Sequence, residues 1–107
     1  MASAKDDVID VPKWDVALES LVGDEYRSKG SDLLIDDFNR LAQVHAIRFD
    51  DIMETVFKLC IYGRWQYRDT AGRLTPITQQ TVDELYVNAR LQGKDLRHFT
   101  GGWRPQK

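Results

Sequence analysis

The chain has 107 residues, of which 42% are hydrophobic, 30% charged and 10% aromatic, with a formal net charge of −2. That length suits a single domain with one modest core, and no apolar run approaches the roughly 20 residues a membrane helix requires, so no membrane span is expected. The lone cysteine, Cys60, excludes an internal disulfide framework and a cysteine-cluster zinc site.

The first residues are polar and lack the apolar core of a signal peptide, so a cytoplasmic location is expected. Residues 1–12 carry no sustained period and read as a mobile arm, although Val8, Ile9 and Val11 could add a strand or cover a core edge. Pro12 stands near a helix start. Trp14, Ala17, Leu18, Leu21 and Val22 follow at helical spacing, with Asp15, Glu19 and Ser20 on the other side. Gly23 and Asp24 are expected to end this helix, leaving residues 24–30 as a polar loop. Ser31 or Asp32 is positioned to cap a second helix whose inward stripe is Leu34, Ile35, Phe38, Leu41, Ala42 and His45.

After a turn at residues 46–48 comes the cleanest pattern in the chain. Phe49, Ile52, Met53, Val56, Phe57 and Cys60 recur at the 3.6-residue period, acidic residues lie in the first turns, and Lys58 lies toward the end. Cys60 belongs to the apolar stripe and reads as a buried, inert thiol. Gly63 stops the helix. Residues 64–68 alternate and are rich in β-formers, residues 69–72 form a turn signal, and residues 73–75 can return as a second strand limited by Pro76. A fourth helix should begin near Thr78, bury Val82, Leu85, Tyr86 and Ala89, and end by Gly93. Residues 94–107 form a basic tail without period. Its Leu96, Phe99 and Trp103 either fold back onto the domain or await a partner.

The expected class is therefore α+β and mostly helical, with four helices and one β-hairpin wing. A single domain spans residues 13–93. Over residues 37–77 the order of helix, turn, helix and hairpin resembles the winged helix-turn-helix superfamily, carried by Leu41, Ala42, Ile47, Asp51, Val56, Leu59 and the run Gly63, Arg64, Trp65. The resemblance implies a positioning helix ending at Leu41 and Ala42, a recognition helix at residues 49–60 and a wing at residues 64–77. It concerns the fold, which serves for binding either DNA or proteins.

Charge separates those two roles. Residues 1–60 hold thirteen acidic against seven basic side chains, and residues 61–107 hold four against eight. A groove-reading helix presents Arg, Asn, Gln or Lys near its N-terminus, but this one presents Asp50, Asp51 and Glu54, which phosphates would repel. The leading expectation is a non-enzymatic regulatory module that binds a protein partner, or a second copy of itself, through Asp50, Asp51 and Glu54 with Trp65, Tyr67 and Trp103 as anchors. The alternative is a nucleic-acid-binding accessory or transcriptional regulator using Arg64, Arg68, Arg73, Arg90, Lys94, Arg97 and Arg104, cations interleaved with stacking aromatics. A third reading has the acidic helix imitate DNA. No cofactor or metal is expected. His45 and His98 are far apart in sequence, no nucleophile-and-base or metal-ligand spacing occurs, and adjacent carboxylates on a helix point about 100° apart.

Overall fold

The computed structural model describes residues 14–87, 90–91 and 99–106; for residues 86, 87, 90 and 91 only the backbone is described. The fold is α+β and mostly helical. Four helices, α1 (Val16–Lys29), α2 (Ile35–His45), α3 (Phe49–Ile61) and α4 (Gln79–Leu85), accompany four short strands, β1 (Trp65–Arg68), β2 (Tyr86–Val87), β3 (Arg90–Leu91) and β4 (Gly102–Pro105).

The first helix runs one and a half turns past its expected end. Gly23 stays inside α1, and the stop falls at Gly30, whose φ of 78° is left-handed and whose N–H donates to the Tyr26 carbonyl at 2.9 Å. The residues expected as a loop are held helical by tertiary contacts. Tyr26 meets the Trp65 ring edge-on at 6.3 Å, Glu25 pairs with Arg40 at 2.6 Å, and Asp24 pairs with Arg27 one turn on. Those contacts outweigh the modest cost of a helical glycine, about 1 kcal/mol.

The second helix is capped differently from expectation. Neither Ser31 nor Asp32 caps it. Leu34 is the N-cap, and the Asp37 carboxylate reaches back to accept its N–H at 2.8 Å. Asp32 is instead drawn to Arg104 at 2.7 Å. Leu34 is 43% exposed and His45 is exposed, so the buried stripe of α2 narrows to Phe38 and Leu41, with Ile35 and Ala42 at its margin. The helix closes through Ala46 in the left-handed region at φ 54°.

Helix α3 is the hub, packed against α1, α2, α4 and β1. It buries Ile52, Met53, Thr55, Val56, Phe57 and Leu59, a wider face than the apolar period alone gives. The Thr55 hydroxyl is satisfied within the helix, donating to the Asp51 carbonyl at 3.0 Å. Gly63 ends α3 at φ 76°, where its N–H reaches the Cys60 carbonyl at 3.2 Å and the Arg64 N–H reaches that of Leu59 at 2.8 Å. Cys60 is half-buried, more open than its place in the apolar stripe implies, and burial pushes its thiol up to about 12.

Beyond α3 the chain makes the expected turn, but the strand β1 finds its main partner elsewhere. Asp69 organises the turn, its carboxylate accepting the N–H groups of Ala71 and Arg73 at 2.9 Å each, and Gly72 supplies a φ of 82°. The return strand amounts to one bridge, Arg68 opposite Leu74, flanked by the Asp69 N–H on the Arg73 carbonyl at 3.0 Å and the Thr75 N–H on the Tyr67 carbonyl at 2.9 Å. The full ladder forms with β4, antiparallel, pairing Trp65 with Pro105, Gln66 with Arg104, Tyr67 with Trp103 and Arg68 with Gly102. On its other side β4 bridges Leu33, with Trp103 and Leu33 exchanging both backbone hydrogen bonds at 2.9 Å. Residues 102–105, expected in a tail whose apolar residues fold back or await a partner, thus fold back and pair with the sheet.

Trp103 is fully buried and surrounded by rings. The Phe38, Phe57, Tyr67 and Phe99 centroids lie 5.5, 6.3, 4.6 and 6.2 Å from its own. Helix α4 is shorter than its periodicity implies. Thr78 caps it as expected, accepting the Thr81 N–H at 3.3 Å, but after Leu85 the backbone turns extended and β2 pairs antiparallel with β3. Ala89 and the helix end expected by Gly93 lie outside the described residues, as do the arm at residues 1–12 and residues 92–98.

Candidate functional site

Trp65, Tyr67 and Trp103, expected as exposed anchors, are core residues. Their exposures are 3%, 3% and 0%. The alternation of β1 turns Trp65 and Tyr67 inward, and Trp103 faces the same core from β4. The Tyr67 hydroxyl accepts the Gly101 N–H at 2.9 Å, and burial, partly offset by that bond and reinforced by nearby Asp69, raises its pKa. No partner reaches these rings without opening the fold.

The acidic trio is dispersed as well. The Asp50 side chain turns aside, only 19% exposed, with a carboxylate oxygen 3.5 Å from an Arg48 nitrogen. Glu54 pairs with Lys58 one turn on, at 3.1 Å. Asp51 is exposed and forms no ion pair among the described residues. Asp51, Glu54 and Lys58 occupy one edge of α3, the part of the helix left open to solvent.

The basic set divides in the same manner. Arg64 gives two hydrogen bonds to one Glu19 oxygen, at 3.1 and 2.8 Å, and lies 5.5 Å over the Trp14 ring. Arg104 is bound to Asp32. Arg68 is half-buried, and its Nε is enclosed without a hydrogen-bond partner. Arg73 is exposed on the turn. The side chains of Arg90, Lys94 and Arg97 lie outside the described residues. Of the four described arginines, two are therefore neutralised by carboxylates, and they share no continuous unpaired surface with the others.

The structure brings together a different set. Where the start of α1 passes the open edge of α3, a groove of about 570 Å³ is lined by Trp14, Ala17, Leu18 and Ile47, with Asp15, Asp51, Glu54, Thr55 and Lys58 completing it. Two small residues, Ala17 and Thr55, leave the room. Trp14 forms one wall and is fixed there from three sides. Its indole N–H donates to Glu19 at 2.8 Å, the Arg64 guanidinium covers it, and the Tyr62 ring lies 5.7 Å away. Asp15 caps α1 by accepting the Leu18 N–H at 3.1 Å, which places its carboxylate at the groove's end.

Of these residues only Asp51 and Glu54 were foreseen as site residues. Trp14, Ala17 and Leu18 were assigned to the buried stripe of α1. The signal in the sequence is Val16, which widens the apolar stripe of α1 beside Ala17 and is 51% exposed in the fold. Among the described residues no group of three His, Cys, Asp or Glu stands where it could hold a metal ion, and no helix is long and apolar enough to cross a membrane. No protein-family model, curated protein or solved structure matches the chain.

Proposed function

We propose that this chain is a small, non-enzymatic winged-helix-like module whose task is to bind another protein through the face where α1 meets α3. The order α1, bridge at Leu33, α2, α3, β1, β4, with β4 lying between β1 and Leu33, supports the winged-helix reading. The observation that carries the binding role is the groove itself. An apolar floor and an acidic rim lie together on the open edge of the helix that would otherwise read DNA. Phosphates are repelled by that rim, whereas a protein surface with apolar and basic side chains gains from both parts.

Among the described residues the nucleic-acid alternative keeps Arg68 and Arg73, since Arg64 and Arg104 are engaged by Glu19 and Asp32. The two readings separate in one experiment. Tagged chain is used to recover partners from its native host, alongside Asp51→Lys/Glu54→Lys and Arg68→Ala/Arg73→Ala variants. A protein lost only with the first variant supports the proposal. Nucleic acid recovered at low salt and lost with the second overturns it.

A further inference from the structure

Granting that module reading, we infer that the α1–α3 groove accepts an amphipathic helix with apolar side chains along one edge and lysines or arginines beside them. The long walls are the first turn of α1, where Asp15 takes the Leu18 N–H, and the open edge of α3, and no strand of the described residues lines the groove. An extended peptide would bury its own N–H and C=O groups there without partners, whereas a helix arrives with them already satisfied. The volume of about 570 Å³ is within the usual range for a bound group of side chains, between Trp14, Leu18 and Ile47.

Charge selects the helix's sign. Among the described residues three carboxylates, Asp15, Asp51 and Glu54, meet one ammonium, Lys58, which Glu54 already holds. The rim is therefore net negative, with Asp51 outside any ion pair among the described residues. Such rim charges set partner choice and encounter rate, and the apolar floor sets residence.

The probe is a synthetic Leu/Lys helix of about 14 residues, with leucines at i, i+3, i+4 and i+7, titrated into the full chain. Binding is followed by calorimetry and by the indole N–H resonance of Trp14. That resonance should shift while those of buried Trp65 and Trp103 hold still. Affinity should fall about tenfold or more in Asp51→Lys/Glu54→Lys and in Ala17→Trp, which fills the groove from an exposed position. It should stay within about twofold in Asp83→Lys/Glu84→Lys, which makes the same charge change outside the groove.

The following results would overturn the inference. They are equal loss in both double variants, a silent Trp14 signal, equal binding of a Leu/Glu helix, or self-association of the peptide-free chain that Ala17→Trp abolishes. A host protein that Ala17→Trp releases but the Leu/Lys helix cannot displace would overturn this inference alone and leave the protein-binding module standing.

Discussion

A methyl group at Gly101 would stand 1.8 Å from the Arg68 carbonyl oxygen and 2.7 Å from the Asp69 Cα, both backbone atoms that cannot swing aside. Gly102 is nearly as confined, 2.6 Å from the Asp32 Cβ. Gly101→Ala should therefore cost about 3 kcal/mol or more, the upper range for overpacking, read as a lowered midpoint in urea unfolding. Ala46 presents the opposite case. It occupies the left-handed region at φ 54° with a side chain that prefers to avoid it. Ala46→Gly should raise stability by about 0.5–1 kcal/mol in the same assay, relief of that conformation exceeding glycine's added freedom in the unfolded chain. Neither assignment was legible in advance. The pair Gly101 and Gly102 reads equally as a loose tail or a close approach, and only the position of β4 decides.

At the scale of elements, the junction of α1 and α2 is tied by Asp37. Burial would raise its carboxyl pKa, but the Lys29 ammonium at 2.6 Å, the Leu34 N–H and Arg40 together hold it below the ordinary 3.8. Because the folded value lies below the unfolded one, the stabilisation is complete above about pH 4 and is lost as pH falls through the folded value. Asp37→Asn keeps an acceptor for the Leu34 N–H and removes the charge. It should lower stability by about 0.5–1 kcal/mol at pH 7, the range for screened ion pairs, and its deficit should vanish near pH 2. Unfolding curves at both pH values check the sign. The four helices, the start of α4 at Thr78 and the end of α3 at Gly63 were readable from periodicity and caps. The end of α1 was not, because Tyr26 and Glu25 gain tertiary partners that no local pattern encodes, nor was the β2–β3 pair that takes over from α4.

For the whole molecule, the core closes only through its C-terminal strand. Trp103 and Phe99 fill the space between Phe38, Phe57 and Tyr67, and Arg104 pins Asp32 from 72 residues away. Removing residues 99–107 deletes the buried Trp103 ring, at roughly 3–5 kcal/mol, and the half-buried Phe99 ring with it, comparable to the entire stability of a small domain. The shortened chain should be unfolded by circular dichroism, and Cys60 should label within seconds at pH 8, whereas the full chain protects it. The aromatic content of that segment was visible beforehand, but its destination was not. A hairpin with its turn neighbour is the local expectation for β1, and Pro76 alone hinted that residues 73–75 could not complete it. The candidate site suffered the same fate. Its charges were recognised on α3, while its apolar floor, contributed by α1, depends on how two helices cross.

The placement of β4 between β1 and Leu33 also governs the order of events during synthesis. A ribosome adding about 5–20 residues each second delivers all three long helices well before the strand that joins them. Until residue 105 clears the exit tunnel, the nascent helices carry an open aromatic cleft around Phe38 and Phe57, a surface that invites chaperone capture. Closure of the core is thereby timed by translation of β4, and a message stalled before it would leave that cleft exposed.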